Sequence, residues 1–225
     1  MEPILDQIQN QKQVVEFSHN FCESRLTNNT PPEIYNAYTS LIITAFPLIL
    51  GFPRNTHFYN LACMLTFNGF ASFYYHYYLD WNGKQADEIS MILATYFGIE
   101  GLLQMYYMGD TNQINKYNGW NNLFMILFLI FNTNSQFDYL FPILFTIYVS
   151  IALSLIYKIS ELYDYHYKRY LIISFIGTKS WLISEVYCNE YTQYGHVVWH
   201  ALFPLGFYQL ILYYDEKMIR LKKLK

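Results

Sequence analysis

The stretch Phe141-Pro142-Ile143-Leu144-Phe145-Thr146-Ile147-Tyr148-Val149-Ser150-Ile151-Ala152-Leu153-Ser154-Leu155-Ile156-Tyr157 contains no charged side chain. Taken from residue 138, it is long enough to cross a hydrocarbon core roughly 30 Å thick at about 1.5 Å per helical residue. Comparable apolar segments recur on both sides of it, at 34–52, 57–79, 86–108, 120–134, 168–188 and 195–214, of which 120–134 is the shortest. Their spacing predicts an all-α chain, a bundle of seven transmembrane helices. It divides the sequence into a polar N-terminal arm (1–33), a membrane domain (34–214) and a basic tail (215–225).

Composition agrees with that division. Of 225 residues, 53% are apolar, 20% aromatic and 14% charged, with a formal net charge of -3. A disordered chain would carry more charge and fewer aromatics, a nucleic-acid binder would be basic, and three Cys do not make a disulfide scaffold. The mean hydropathy of +0.08 is low for a membrane protein. The 24 Tyr depress it, although Tyr suits a membrane interface. A water-soluble helical protein is a poorer expectation, because nearly continuous apolar faces leave too little polar surface. No apolar run near Met1 reads as a signal peptide.

Basic residues set the expected direction of insertion, since they accumulate on the cytoplasmic side. With the C-terminus there, ten of the fourteen Lys and Arg lie on that side: five in the tail, with Arg54, Lys116, Lys158, Lys168 and Arg169 in loops. Lys12, Arg25 and Lys84 lie on the other side, and Lys179 lies within a span. Seven crossings then place the arm on the exoplasmic or lumenal face. The sequon Asn28-Asn29-Thr30 also falls there, followed by Pro31.

Ionisable groups at membrane depth are costly and tend to be functional. His19, His57 and His166 fall in the arm or at loop edges and read as solvated or interfacial. The other three His form a pattern. The second span ends Ser72-Phe73-Tyr74-Tyr75-His76, Asp87-Glu88 opens the third, and the seventh opens His196-Val197-Val198-Trp199-His200. Residues four apart share a helix face, so His196 and His200 can reach one metal ion. An even number of spans separates His76 from His196, so both lie at the same end of the bundle. His76, His196 and His200 would then supply three nitrogens and leave a position for water, the layout of catalytic zinc. The plainer reading of a His pair at this spacing is packing or hydrogen bonding.

These motifs resemble the alkaline ceramidases, members of a wider superfamily of seven-span membrane hydrolases. The likeness rests on Ser72 and His76, on Asp87-Glu88 eleven residues after that His, and on His196 with His200. Asn20-Phe21-Cys22-Glu23, Glu33-Ile34-Tyr35-Asn36, Trp181 and Cys188 extend it, whereas Ser184 stands where the family usually has Asp. The resemblance implies zinc held by His76, His196 and His200, with Ser72 and Asp87 completing a site that cleaves ceramide to sphingoid base and fatty acid. Asp87 would carry the proton to the leaving amine, and Ser72 would hydrogen-bond the oxyanion. The alternatives are helix packing for Ser72 and a helix N-cap for Asp87.

The family also implies calcium held by the arm, where Asn20, Glu23 and Glu33 match. Arg25 stands in place of Asn, and the interval from Glu23 to Glu33 is one residue short. A solvated acidic arm, or Arg25 pairing with Glu23 in place of the ion, are the other readings. A Cys22–Cys188 disulfide and an endoplasmic-reticulum or Golgi membrane location are implied as well, with a membrane lipid as partner and no nucleic acid. Relatives that act on other lipids, or sense lipids as receptors, are the rival functions. Cys63 reads as a core residue, and Lys179, Glu100 and Glu185 have no role legible in the sequence.

Overall fold

The computed structural model describes residues 21–27, 29–163 and 166–223. Asn20 and the sequon's Asn28 lie outside them. The described residues form eight α-helices and no strand. They are α1 (Cys22–Leu26), α2 (Ile34–Leu50), α3 (Thr56–Tyr78), α4 (Trp81–Tyr106), α5 (Thr111–Asn132), α6 (Phe141–Tyr163), α7 (Lys168–Val186) and α8 (Gly195–Lys223).

Seven of these helices are long, and three of them start at a side-chain cap of their own. Asn55 accepts hydrogen bonds from the backbone N–H groups of His57 and Phe58 at the start of α3. Asp80 accepts from Gly83 at 2.6 Å at the start of α4, and Asp110 from Gln113 at 3.0 Å at the start of α5. Each cap satisfies N–H groups that the helix itself leaves unpaired. At the other end of α2, Gly51 takes φ 89° and its N–H bonds to the carbonyl of Pro47.

Two boundaries differ from the sequence expectation in a useful way. Helix α4 starts at Trp81, not at residue 86, so its cap is Asp80 and Asp87 is released from that duty. Helix α5 starts at Thr111 rather than 120, because polar residues such as Asn112, Gln113 and Asn118 continue the helix without adding apolar length. The tail is also different in kind, since α8 runs unbroken to Lys223.

Gln85 near the start of α4 bonds to Asn132 at the end of α5, so consecutive helices alternate in direction, and Tyr163 at the end of α6 reaches the carbonyl of Met105 near the end of α4, so those two run parallel. Helix α3 packs most extensively on α4, α7 on α8, and α2 lies against both α3 and α8. Phe58, Met105, Ile156, Ile159, Leu210 and Tyr214 form the core at one end. At that end Asp215 accepts from the N–H groups of Arg54 and Asn55, tying α8 to the α2–α3 turn. Glu100 accepts from Asn121 at 2.9 Å, and Asn121 accepts from Tyr148 at 2.7 Å. Lys179 lies over the ring of Phe175. By length and mean hydropathy, two helical stretches are apolar enough to cross a membrane, Phe141–Tyr163 and Thr192–Leu221.

The α2–α3 contact depends on the absence of a side chain at Gly69. A Cβ there would stand 2.2 Å from Thr44 Oγ1, 2.6 Å from Thr44 N and 2.9 Å from Ser40 O. Gly69→Val should therefore destabilise the protein by about 1–3 kcal/mol through overpacking. Gly119→Ala, with nothing within 4 Å of the added carbon, should change it by no more than about 1 kcal/mol. Thermal unfolding in detergent measures both.

Candidate metal centre

The antiparallel order brings the end of α3, the starts of α2, α4 and α8, the end of α7 and helix α1 to one end of the molecule. There the ligand atoms of His76, His196 and His200 lie within 4.8 Å of one another. The residues are 1%, 5% and 2% exposed. The ring centroid of His76 is 4.9 Å from that of His196 and 5.2 Å from that of His200, and the two rings on α8 are 4.6 Å apart. Among the described residues, no other group of His, Cys, Asp and Glu gathers in this way.

The second nitrogens of two rings are already engaged. His76 Nδ1 is 2.6 Å from Glu33 Oε2, and His200 Nδ1 is 3.1 Å from Thr39 Oγ1. Thr39 Oγ1 donates in turn to the carbonyl of Tyr35, so it can accept from the imidazole. Both rings then present Nε2 to the shared centre, the arrangement that outer-shell partners impose on metal-binding His. His196 Nδ1 has no hydrogen-bond partner among the described residues. The rings of Phe21 and Trp181 lie 4.4 and 6.5 Å from that of His196. Buried, nearly dry imidazoles with two fixed Nδ1 groups fit a divalent cation that prefers nitrogen donors.

Beside the three His runs a chain of polar side chains. Ser72, 3% exposed, has its hydroxyl 3.1 Å from that of Ser40 and hydrogen-bonds Asp87. Asp87 also accepts from Asn68 Nδ2 at 2.8 Å, and Asn68 reaches Ser90 at 2.9 Å. Glu88 faces elsewhere and pairs with Lys84 at 3.4 Å. Helix α2 contributes Asn36, Ser40 and Thr44, all buried, at the four-residue spacing that places them on one face.

Helix α1 of the arm covers this end. Cys22 and Cys188 are disulfide-bonded, while Cys63 is free. Arg25 does not pair with Glu23; its guanidinium bonds to the carboxylate and the carbonyl of Glu185 at 2.8 and 3.1 Å. Glu23 instead accepts from the N–H groups of Tyr35 and Asn36 at 2.8 and 2.9 Å and so caps α2. Burial pushes its carboxyl above the ordinary carboxylate range, although those two hydrogen bonds oppose the shift. Glu33 accepts from Phe21 N, Ser24 Oγ and His76 Nδ1. Calcium takes six to eight oxygens, and every oxygen of Glu23 and Glu33 already serves a protein donor. A calcium ion would have to share those oxygens with their protein donors, and Asn20, the third residue of the expected set, lies outside the described residues. Ser184, at the position where the family usually has Asp, is buried, and its hydroxyl has no partner among the described residues.

Sequence reasoning singled out the three His, Ser72 and Asp87, and the structure brings all five to this end. It named Glu33 for calcium and missed it as a partner of His76, and it missed Thr39 and Ser40 on α2. The parity that aligned His76 with His196 places the start of α2 at the same end, and the polar face of α2 was the available signal.

An all-helical fold closes at one end over three buried imidazoles that could hold a metal ion. The Ceramidase family profile matches residues 14–224, nearly the whole chain, and the chain belongs to that family. None of the curated proteins matches it. Family membership supports ceramide hydrolysis in general terms: a hydrolase of amide bonds, acting on a ceramide-like lipid, in a metal-dependent and membrane-associated family.

The disulfide closes a loop of 166 residues of sequence separation. Cys188→Ser should lower stability by about 2–4 kcal/mol and expose the arm to limited proteolysis in the folded protein. Thermal unfolding and a protease time course, each compared with the wild type, read the two effects.

Proposed function

We propose that this chain is a zinc-dependent intramembrane ceramidase. It would be a bundle of seven transmembrane helices with its N-terminus lumenal and its C-terminus cytoplasmic, resident in the endoplasmic reticulum or Golgi membrane. Three buried imidazoles, gathered from two helices of a ceramidase-family chain, carry the reading. The span count has a physical argument behind it despite only two strongly apolar stretches. The polar residues of α4, among them Lys84, Glu88, Ser90 and Glu100, are buried. Ile126, Ile130, Ile172, Phe175, Leu182 and Val186 are exposed. Polar residues turned inward and apolar residues turned outward suit a lipid surround, and average hydropathy cannot register which way a residue faces. Residues 1–33, 34–214 and 215–225 serve as arm, hydrolase domain and basic end.

His76, His196 and His200 would hold the zinc, whose chemistry when bound is Lewis acidity and activation of water near neutral pH. Asp87 takes a proton at its carboxylate and returns it to the amide nitrogen as the C–N bond breaks, leaving sphingoid base and fatty acid. Asn68 fixes the orientation of that carboxylate. Ser72, between Ser40 and Asp87, donates its hydroxyl to the oxygen that gains charge in the transition state. A site at the end of a membrane bundle lets the two hydrocarbon chains of the lipid stay in the bilayer while the amide reaches these groups.

Protein purified in detergent should contain one zinc per chain and release fatty acid from ceramides. His196→Ala should lose both metal and turnover. Asp87→Asn should keep the metal and lose about 10²- to 10⁴-fold in turnover, the range of one proton-transfer group. Zinc with no turnover on any lipid amide would point to a lipid-sensing receptor. A folded protein without metal contradicts both.

A further inference from the structure

Glu33 is 0% exposed and occupies the N-cap position of α2, yet it makes no capping bond with its side chain. Glu23 performs that task from the arm, bonding Tyr35 N and Asn36 N. Glu33 is thereby free to place Oε2 2.6 Å from His76 Nδ1 while Oε1 accepts from Phe21 N at 3.1 Å and Ser24 Oγ at 2.5 Å. Two of its donors thus belong to the arm, one is a candidate metal ligand, and Asn36 Nδ2 on α2 adds a longer contact at 3.5 Å.

The three acidic groups at the arm each have their own compensation. The Glu23 carboxylate sits at the N-terminus of α2, where unpaired N–H groups and the helix dipole favour negative charge. Glu185 is bridged to the arm by the Arg25 guanidinium and by Cys22 N at 3.3 Å, three residues before disulfide-bonded Cys188. Glu33 faces an imidazole, which a cation on the far nitrogen makes a stronger donor. The α2 N-terminus, the Arg25 guanidinium and the His76 imidazole thus each face one of these carboxylates.

We propose that Glu33 is a positioning residue for His76, and that the arm holds it in place through protein contacts alone, the Arg25–Glu185 pair and the disulfide doing what a bound calcium ion would otherwise do. The inference rests on the proposed zinc site. The carboxylate fixes the tautomer and ring orientation of His76, so its loss weakens metal binding rather than the fold. Arg25 acts at one remove, by anchoring the helix that carries Phe21 and Ser24 against Glu33.

The test compares detergent-purified wild type, Glu33→Gln and Arg25→Gln by zinc competition against a chromophoric chelator, with calcium titrated separately. Glu33→Gln keeps the shape and removes the charge. It should weaken zinc binding about 10- to 100-fold while the Cys22–Cys188 bond still forms. Cobalt substituted for zinc should show an altered visible spectrum, which a purely structural role would not produce. Arg25→Gln should weaken zinc binding less and increase proteolysis of the arm. Calcium up to about 1 mM, where weak extracellular calcium modules fill, should shift neither the wild-type melting temperature nor its zinc affinity. Unchanged zinc affinity and cobalt spectrum in Glu33→Gln overturn the positioning role. A calcium-dependent rise in either wild-type quantity overturns the calcium-free arm. A wild type that binds no zinc overturns the zinc site itself, a result separable from the other two.

Discussion

Three imidazoles within 4.8 Å of one another, cut off from water, are an expensive arrangement. A buried polar atom without a partner costs about 1–3 kcal/mol, and like groups crowded together gain nothing from each other. The surrounding structure is organised to keep them there. Gly69 lets α2 approach α3 closely enough for Ser40 to reach Ser72. Glu33 and Thr39, on or beside α2, take up the Nδ1 atoms of His76 and His200. A cation at the remaining nitrogens would convert that cost into binding energy, because metal binding of this kind is coupled to folding.

The two ends of the bundle use polarity differently. At the His end, polar groups converge on Asp87, which accepts from Asn68 on one side and is linked through Ser72 to Ser40 on the other. At the other end, Asp215, Asn55, Gln104 and His57 tie helix ends to one another: Asn55 bonds Gln104 at 3.1 Å, and Gln104 bonds His57 at 2.7 Å. The second network satisfies backbone and side-chain groups that would otherwise be stranded in an apolar core. The first leaves Asp87 half-buried near His76.

Much of this was legible in the sequence because the informative features are periodic. Four-residue spacing paired Ser72 with His76 and His196 with His200, and counting apolar segments aligned the two pairs. Helix starts were legible only where the cap is compact. Asn55 and Asp80 are short polar residues before long helices, yet the apolar onset near residue 86 masked the earlier start of α4. The length of α5 escaped because its first two turns are built from Asn, Gln and Lys, which form helix without an apolar signal. The role of Glu33 was hidden for a different reason. Its partner His76 is 43 residues away, and the acidic character of the arm suggests metal binding before it suggests a hydrogen bond to an imidazole. Arg25 likewise finds its partner 160 residues along the chain, a pairing that local spacing cannot reveal.

His76, His196 and His200 are the proposed ligands of one shared ion. X-ray absorption at the zinc edge of the purified protein measures this most directly. A zinc shared by these residues should show three imidazole nitrogens at about 2.0–2.1 Å with one further light atom, and should lose an imidazole contribution in His76→Ala. A sulfur shell near about 2.3 Å, or an unchanged spectrum in that variant, would contradict it.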